Sequence, residues 1–268
     1  MNEAPLFFPH VTLLITHYNR SQSLERLLTT FQQQNIRFGE MVVSDDGSKA
    51  EHQEALKKLQ AQHPFRLITT PKNRGLGHNI NKGQDAVKTP YTLYVQEDFV
   101  PKPAFAKAFA DALAILQSQP GIDIIRFYAY FNYPYTKPFG NGFSEMMFHP
   151  APWYANHLKF YLYSDHPHLR RSNFLEKFGR YPEGIKGDAT EFGMALSFLK
   201  KGARGLLYNQ FTEVFDQANS SAEPSTMARS HWRQGVSPGV LALRKLYLPL
   251  RLLKNTLQYF TFKPQQPR

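Results

Sequence analysis

Two adjacent carboxylates follow an apolar run in the middle of the chain, and their chemistry suits a cation. The run Tyr91 to Val95 is rich in β-branched and aromatic residues, which predicts a strand buried on both faces. It ends in Gln96-Glu97-Asp98. Because side chains alternate along an extended chain, Gln96 and Asp98 are expected to point one way and Glu97 the other. Asp98 is therefore the first candidate ligand for Mg²⁺ or Mn²⁺, unless the two acids simply cap the helix expected next.

A second acidic turn follows an earlier predicted strand. The stretch Glu40 to Ser44 precedes Asp45-Asp46-Gly47-Ser48, whose Asp and Gly residues are typical of a tight turn. One of the carboxylates could also accept hydrogen bonds from a nucleobase or a ribose. The residues alone leave both interpretations open.

The loop Pro71 to Gly77 superficially matches a dinucleotide fingerprint. Ile80 stands where the third glycine belongs, and the loop is not the first strand-to-helix turn, so no nicotinamide cofactor is expected. Arg74 could approach a diphosphate or could be an ordinary surface arginine.

These loops require a sheet to position them, and the pattern of apolar residues predicts one. Strands alternate with helices, which is typical of a right-handed parallel α/β sheet. Ser21 or Ser23 is expected to cap the first helix. Residues 128–182 are predicted to be a long irregular segment. The predicted strands are 11–16, 40–44, 65–70, 91–95, 122–127 and 205–208, and the predicted helices begin near 21, 51, 78, 104 and 188.

Composition limits the class of protein. The chain has 268 residues, enough for one large or two small domains with a substantial core. The absence of cysteine excludes disulfides and thiolate metal sites and is compatible with a reducing compartment. We expect neither a secretory signal nor a membrane-spanning segment, because no suitable apolar run is present.

Positive charge is concentrated at the end of the sequence. The formal net charge is +11, and after Glu223 there is no acid but eight Lys and Arg residues. Leu246, Leu250, Leu253 and Leu257 form one helical stripe there, and Pro249 is expected to kink or divide the helix. Such a basic amphipathic helix could dock in a membrane surface, or pack on the domain or on another subunit.

Four segments taken together resemble a known family. Val11 to Arg20, Val42 to Ser48, Asn73 to Gly83 and Tyr91 to Asp98 occur in the order and at the spacing of the nucleotide-sugar-binding half of glycosyltransferase family 2. The resemblance implies a GT-A-type, Rossmann-like, mostly parallel sheet flanked by helices. It implies a catalytic domain over 1–225, with a nucleotide-sugar half at about 10–100 and an acceptor half at about 101–225, followed by the amphipathic tail 226–268.

The resemblance also implies roles for individual residues. The family's Asp-x-Asp motif falls on Gln96-Glu97-Asp98, so Gln96 replaces the first acid while Asp98 remains to bind Mn²⁺ or Mg²⁺. The nucleotide-sugar-binding residues implied in this way are Thr16, Tyr18, Asn19, Arg20, Asp45, Asp46, Arg74, Gln96 and Glu97.

The second half of such enzymes supplies a catalytic base. Glu191 best matches the acidic helix start that carries it, and Asp188 is the reserve. Alternatively, Asp188 caps this helix and Glu191 stabilises its first turn. His231 could be an additional metal ligand, or a residue packed beside Trp232. The segment Asp165 to Arg171 could line the acceptor side.

The expected activity is inverting transfer of a sugar from a nucleoside-diphosphate sugar, with a UDP-sugar as the leading candidate, to a hydroxyl of a glycan or lipid-linked acceptor. The expected setting is bacterial surface polysaccharide synthesis, in the cytoplasm or at the inner face of the membrane, without a nucleic-acid partner. Two alternatives remain at this point: a sugar-nucleotide nucleotidyltransferase, whose glycine-rich loop is missing after the first strand, and a non-catalytic carbohydrate- or polyanion-binding module.

Overall fold

The computed structural model describes residues 5–151, 154, 156–219, 223 and 238–264, and of these the side chains of 238–246 are not described. The strands, in chain order, are β1 (Leu6–His17), β2 (Ile36–Asp45), β3 (Arg66–Ile68), β4 (Tyr91–Gln96), β5 (Phe99–Pro101), β6 (Ile124–Arg126), β7 (Thr136–Gly140), β8 (Phe143–Met146), β9 (His168–Arg171), β10 (Gly205–Tyr208) and β11 (Phe215–Gln217).

One large mixed sheet forms the centre of the structure. Its strand order is β3-β2-β1-β4-β9-β6-β10-β8-β7, and β5 pairs with β11 in a small separate sheet. Within the large sheet, β8 and β9 run opposite to the other strands. The predicted α/β sheet, mostly parallel and flanked by helices, is confirmed.

Helices cover both faces of this sheet. They are α1 (Ser21–Gln33), α2 (Ala50–Gln62), α3 (Leu76–Asp85), α4 (Phe105–Ser118), α5 (Phe174–Phe178), α6 (Gly187–Lys200) and α7 (Pro238–Thr261), with 3₁₀ turns at His157–Phe160 and Phe211–Glu213. Apolar residues of α1, α2 and α4 belong to one buried cluster, and those of α3, α5 and α6 belong to a second. The described helices include none that combines the length and the apolar character needed to cross a bilayer.

The central strands are buried as their composition predicts. Every residue of β1 from Val11 to His17 is buried, and so are Thr92 to Val95 of β4. A strand covered on both faces has no solvent side, which is why neither run alternates between apolar and polar residues. Polar residues that could do chemistry are thus confined to the ends of these strands.

The segment 128–182 is more regular than its sequence suggests. It contains β7, β8 and α5, and its strand β9 lies antiparallel between β4 and β6 in the middle of the sheet. The prediction of a long irregular segment is wrong here. Arg170 of β9 is fully buried; its guanidinium donates to the Tyr181 hydroxyl and to Gln84 Oε1 and stacks over the Phe174 ring. These distant partners allow an arginine in a central strand.

The first helix begins differently from the prediction. Ser21 and Ser23 lie inside the first turn of α1, and Arg20 precedes it, so neither serine is the capping residue. The carboxylate of Glu223 accepts hydrogen bonds from the backbone N–H groups of Gln22 at 2.9 Å and Ser23 at 2.8 Å. A side chain 200 positions away thus caps α1.

The last helix packs on the domain and contains a proline. α7 extends from Pro238 to Thr261 with Pro249 inside it, so the proline does not divide the helix. Leu252, Tyr259 and Phe262 pack against the second apolar cluster. The division of the chain at residue 225 stays a prediction.

Candidate active site

A cleft of about 1270 Å³ opens where β1 and β4 end. Thr16 of β1 pairs with Gln96 of β4, and His17 pairs with Asp45 of β2, so the loops after these three strands leave the sheet at one edge. Side chains of α6 and α7 line the cleft as well. The lining includes these residues predicted from the sequence: Thr16, Tyr18, Arg20, Asp46, Gln96, Glu97, Asp98, Asp188 and Glu191.

Asp45 lies beneath the cleft and organises the turn. Its Oδ1 is 2.8 Å from His17 Nδ1 and accepts from Ser48 Oγ, while its Oδ2 accepts from the Ser48 N–H and from Thr69 Oγ1. Burial acts to raise the pKa of Asp45, but the hydrogen bonds from His17 and Ser48 outweigh it and hold the pKa at about 2. Asp45 is therefore an ionised structural group.

Two other predicted nucleotide contacts lie outside the cleft lining. Asn19 bonds to the neighbouring turn through Ser48 Oγ and the Lys49 N–H. The guanidinium of Arg74 pairs at 3.4 Å with Glu183, and its side chain is half exposed. Sequence reasoning selected loops that reach the cleft, but it could not tell which side chain of each loop faces inward.

Asp46 faces the cleft and fixes the neighbouring loop. Its two oxygens accept hydrogen bonds from the backbone N–H groups of Arg74 at 3.0 Å and Gly75 at 2.8 Å. Gly47 beside it has a φ of 68°, and a Cβ atom there would lie 2.5 Å from the carbonyl carbon of Lys72. The two loops can approach this closely because position 47 is glycine. Burial raises the pKa of Asp46.

Arg20 and Asp98 form a buried ion pair in the cleft. The distance from Arg20 Nη1 to Asp98 Oδ2 is 3.1 Å, and Gln217 Nε2 donates to the same oxygen at 2.8 Å. Nη2 of Arg20 donates to Asn219 Oδ1 and to the carbonyl of Glu223. Arg20 thus joins the loop after β1 to the acidic pair and to the segment after β11.

Glu97 is buried beside this ion pair. Its Oε1 lies 3.6 Å from Arg20 Nη1. Burial, assisted by the negative charge of Asp98, raises the pKa of Glu97 to about 8 against the opposing effect of Arg20. Glu97 therefore carries a proton at neutral pH.

The residues present fit a divalent ion held by one carboxylate. Asp98 Oδ1 is buried and accepts no hydrogen bond from the described residues. Within the part of the chain that the structure describes, no three His, Asp or Glu side chains converge as a preformed metal cage. Mg²⁺ commonly binds through one or two carboxylates and completes its shell with water and substrate phosphate. The Gln96 amide instead donates to Asp165 at 2.9 Å, and the candidate ligand His231 lies outside the described residues.

Glu191 projects from α6 into the cleft. Its Oε1 accepts hydrogen bonds from Ser164 Oγ at 2.7 Å and from the Asp165 N–H at 3.3 Å. Burial raises the pKa of Asp165 well above its ordinary value, and the negative charge of Glu191 raises it further. The protonated form of Asp165 is favoured accordingly, and Glu191 lies beside it with its Oε1 held by these two donors.

The start of α6 does not match the capping alternative. Lys186 precedes the helix, and Asp188 lies inside its first turn. Glu191 bonds to the segment before β9, as described above. Both acids line the cleft, so their position is compatible with catalysis and not with a reciprocal cap.

Several cleft residues were not singled out in the sequence. Gln217 orients Asp98, and Arg126 is buried with its guanidinium donating to the carbonyl of Tyr161 at 2.8 Å. Arg251 of α7 donates to the Tyr161 hydroxyl at 2.7 Å. The contacts are long-range, so spacing in the sequence carried no signal for them.

The family model for glycosyl transferase family 2 matches residues 12–179, which is more than half of the chain and includes every loop at the sheet edge described above. The chain belongs to glycosyl transferase family 2. It is therefore a glycosyltransferase, and the resemblance noted in its sequence is confirmed. No curated protein sequence matches it significantly.

Solved structures share the fold of this family 2 chain. The S. aureus TarS 1–349 structure in complex with UDP-GlcNAc has a TM-score of 0.61 at 15% identity, over 94% of this chain and 73% of that one. The mannosyltransferase PcManGT from Pyrobaculum calidifontis, in complex with GDP-Man and Mn²⁺, has a TM-score of 0.57 at 17% identity, over 96% and 76%. This chain spans 59% of the length of another TarS 1–349 structure that it matches.

Proposed function

We propose that the chain transfers a sugar, with inversion at the anomeric carbon, from a nucleoside-diphosphate sugar to an acceptor hydroxyl. The observation that carries this proposal is the convergence of Asp46, Asp98 and Glu191 on one cleft of a family 2 enzyme. The bound UDP-GlcNAc of TarS and GDP-Man of PcManGT support a nucleotide-sugar donor. A UDP-sugar is the first donor to test.

Glu191 would act on the acceptor. An acceptor hydroxyl within hydrogen-bonding reach of this carboxylate would lose its proton to Glu191 as it attacks the anomeric carbon. Ser164 Oγ and the Asp165 N–H hold the carboxylate in place by donating hydrogen bonds to Glu191 Oε1. Asp188 is the reserve candidate for the same role.

The diphosphate would lie at the other end of the cleft, near the acidic pair. A divalent ion there, Mn²⁺ or Mg²⁺, would stabilise the negative charge of the leaving nucleoside diphosphate. Asp98 would hold it through Oδ1, and the Mn²⁺ in the PcManGT complex supports such an ion. Arg20 keeps Asp98 in position, while Thr16, Tyr18 and Asp46 border the space available for the nucleoside.

We place the acceptor hydroxyl on a glycan or a lipid-linked saccharide, and the reaction in bacterial surface polysaccharide synthesis. The reducing cytoplasm, at the inner face of the membrane, is the corresponding location. The absence of cysteine is compatible with that compartment.

The test is the release of nucleoside diphosphate from a panel that includes UDP-GlcNAc and GDP-Man, with Mn²⁺ and candidate acceptors. We expect Glu191→Gln to slow acceptor-dependent release by about 10²- to 10⁴-fold without weakening donor binding. Glu54→Gln is the matched control, because Glu54 is an exposed acid paired with Lys57. The proposal would be contradicted if no donor in the panel supported release of nucleoside diphosphate. It would also be contradicted if Glu191→Gln released nucleoside diphosphate at the wild-type rate.

A further inference from the structure

The helix α7 presents three faces with different surroundings. Toward the domain, Leu252 and Tyr259 pack on the second apolar cluster, and Asn255 and Thr256 are buried. A second face lines the cleft with Tyr247, Arg251, Lys254 and Gln258. The third face is exposed, although its side chains are large and apolar.

The exposed face is a continuous apolar row. It consists of Leu250, Leu253, Leu257 and Phe260, which are exposed by 66%, 57%, 57% and 58%. At about 100° of rotation per residue, these four side chains fall within an arc of about 80°. Half of the large apolar side chains that are exposed in the described residues lie on α7. Such a concentration on one helix face is typical of an interaction surface.

The charge around this row determines the kind of partner. After Glu223 the sequence has eight Lys and Arg residues and no acid, and Arg251 and Lys254 lie on α7 beside the row. A second copy of the chain would bring two basic helices together, which is electrostatically unfavourable. A nucleic acid would complement the charge but would leave the leucine row in water. An anionic bilayer surface accommodates both features, since lipid headgroups attract the cations and the acyl boundary buries the row.

We infer that α7 docks in the plane of an anionic membrane surface through Leu250, Leu253, Leu257 and Phe260. Leu250 belongs to both the row and the cleft lining, so docking brings the mouth of the cleft to the lipid headgroups. A lipid-linked acceptor would then reach Glu191 from the membrane, while the donor enters from solvent. This delivery of the acceptor rests on the proposed function, but the docking itself does not.

The experiment is co-sedimentation of the full chain with lipid vesicles, without any nucleotide sugar. We expect binding to vesicles of equal parts phosphatidylglycerol and phosphatidylcholine, weak binding to pure phosphatidylcholine, and weakening as salt is added. The double variant Leu253→Ser/Leu257→Ser should lower the partition coefficient by about tenfold or more, because two apolar side chains no longer enter the lipid. Lys263→Glu should weaken binding to the anionic vesicles alone.

Phe7→Ser is the matched control, because Phe7 is also 57% exposed but lies at the start of β1, at the opposite end of this strand from the cleft that α7 lines. It should bind vesicles as the wild type does, and thermal unfolding of each variant reports whether the fold is intact. Failure of the wild type to bind anionic vesicles, or full binding by the Leu253/Leu257 variant, would overturn the inference. A dimer of the wild type that the Leu253/Leu257 variant dissociates would also overturn the inference. None of these outcomes bears on donor turnover, so they are separable from the transferase test.

Discussion

Arg20 Nη1 lies 3.1 Å from Asp98 Oδ2, so an arginine of the loop after β1 pairs with a carboxylate of the loop after β4. Both side chains are almost fully buried, and Glu97 adds a third ionisable group within 3.6 Å of the same nitrogen. The pair leaves Asp98 Oδ1 without a hydrogen bond from the described residues. Asp98 thus has one oxygen fixed by Arg20 and Gln217, while the other has no hydrogen-bond partner in the described part of the chain.

Removing Arg20 should destabilise the fold. The substitution Arg20→Ala leaves buried acids without their positive partner, and breaking a buried ion pair in this way costs about 3–5 kcal/mol in the free energy of unfolding. Urea denaturation measures this. Arg180→Ala is the control, because Arg180 forms a partly exposed pair with Asp85 that is worth about 1 kcal/mol or less. Equal losses in the two variants would contradict the buried role of Arg20.

Glu97 should make the stability of the protein decrease as the pH rises. Its pKa is raised from 4.5 to about 8 in the folded state, so between these values the folded protein binds more protons than the unfolded chain. This contribution to stability is complete below pH 4.5 and is lost as the pH approaches 8. Asp165, whose pKa is also raised, contributes in the same direction.

Glu97→Gln should remove part of that slope. We expect its free energy of unfolding, measured by urea denaturation from pH 5 to about pH 8, to fall less steeply than that of the wild type. Glu213→Gln, at an exposed acid, should retain the wild-type slope. A Glu97→Gln slope that equals the wild-type slope would mean that Glu97 is ionised throughout.

Glu223 should stabilise α1 from a distance. Glu223→Ala removes the bonds to the backbone N–H groups of Gln22 and Ser23 and to Ser23 Oγ, with an expected cost of about 1–2 kcal/mol. Burial acts to raise the pKa of Glu223, but its hydrogen bonds with Ser23 and Gln22 lower it, so the stabilisation should be lost as the medium becomes acidic. Chemical denaturation at neutral and acidic pH measures both effects. If Glu213→Ala costs as much as Glu223→Ala, the cap is not the cause.

Local patterns in the sequence predicted the strands and loops that build the cleft. The apolar runs ending at Thr16, Ser44 and Val95 are buried strands, and polar residues begin where each strand ends. A buried parallel strand needs no distant partner to be recognised, because its own composition excludes a solvent face. The position of Asp98 at the sheet edge was predictable for the same reason.

Features that depend on distant partners were not predictable. Strand β9 contains Arg170, and its burial is explained by the hydrogen bonds that its guanidinium donates to Tyr181 and Gln84. The cap of α1 comes from Glu223, and a hydrogen bond from Arg251 joins the α7 wall of the cleft to Tyr161. Local sequence patterns did not distinguish Asp45 from Asp46 as the acid that faces the cleft. The hydrogen bonds around Asp45 place it below the cleft and Asp46 in its lining.

The most direct test of the account is calorimetric titration of UDP and GDP into the wild type and Asp98→Asn, with and without Mn²⁺. Asp98→Asn keeps the shape of the side chain but removes its negative charge, and thermal unfolding of the variant checks the fold. We predict that Mn²⁺ strengthens binding of at least one of these nucleotides to the wild type, and that Asp98→Asn weakens the metal-dependent binding by about tenfold or more. Nucleotide binding that is indifferent to both Mn²⁺ and the substitution would contradict the account.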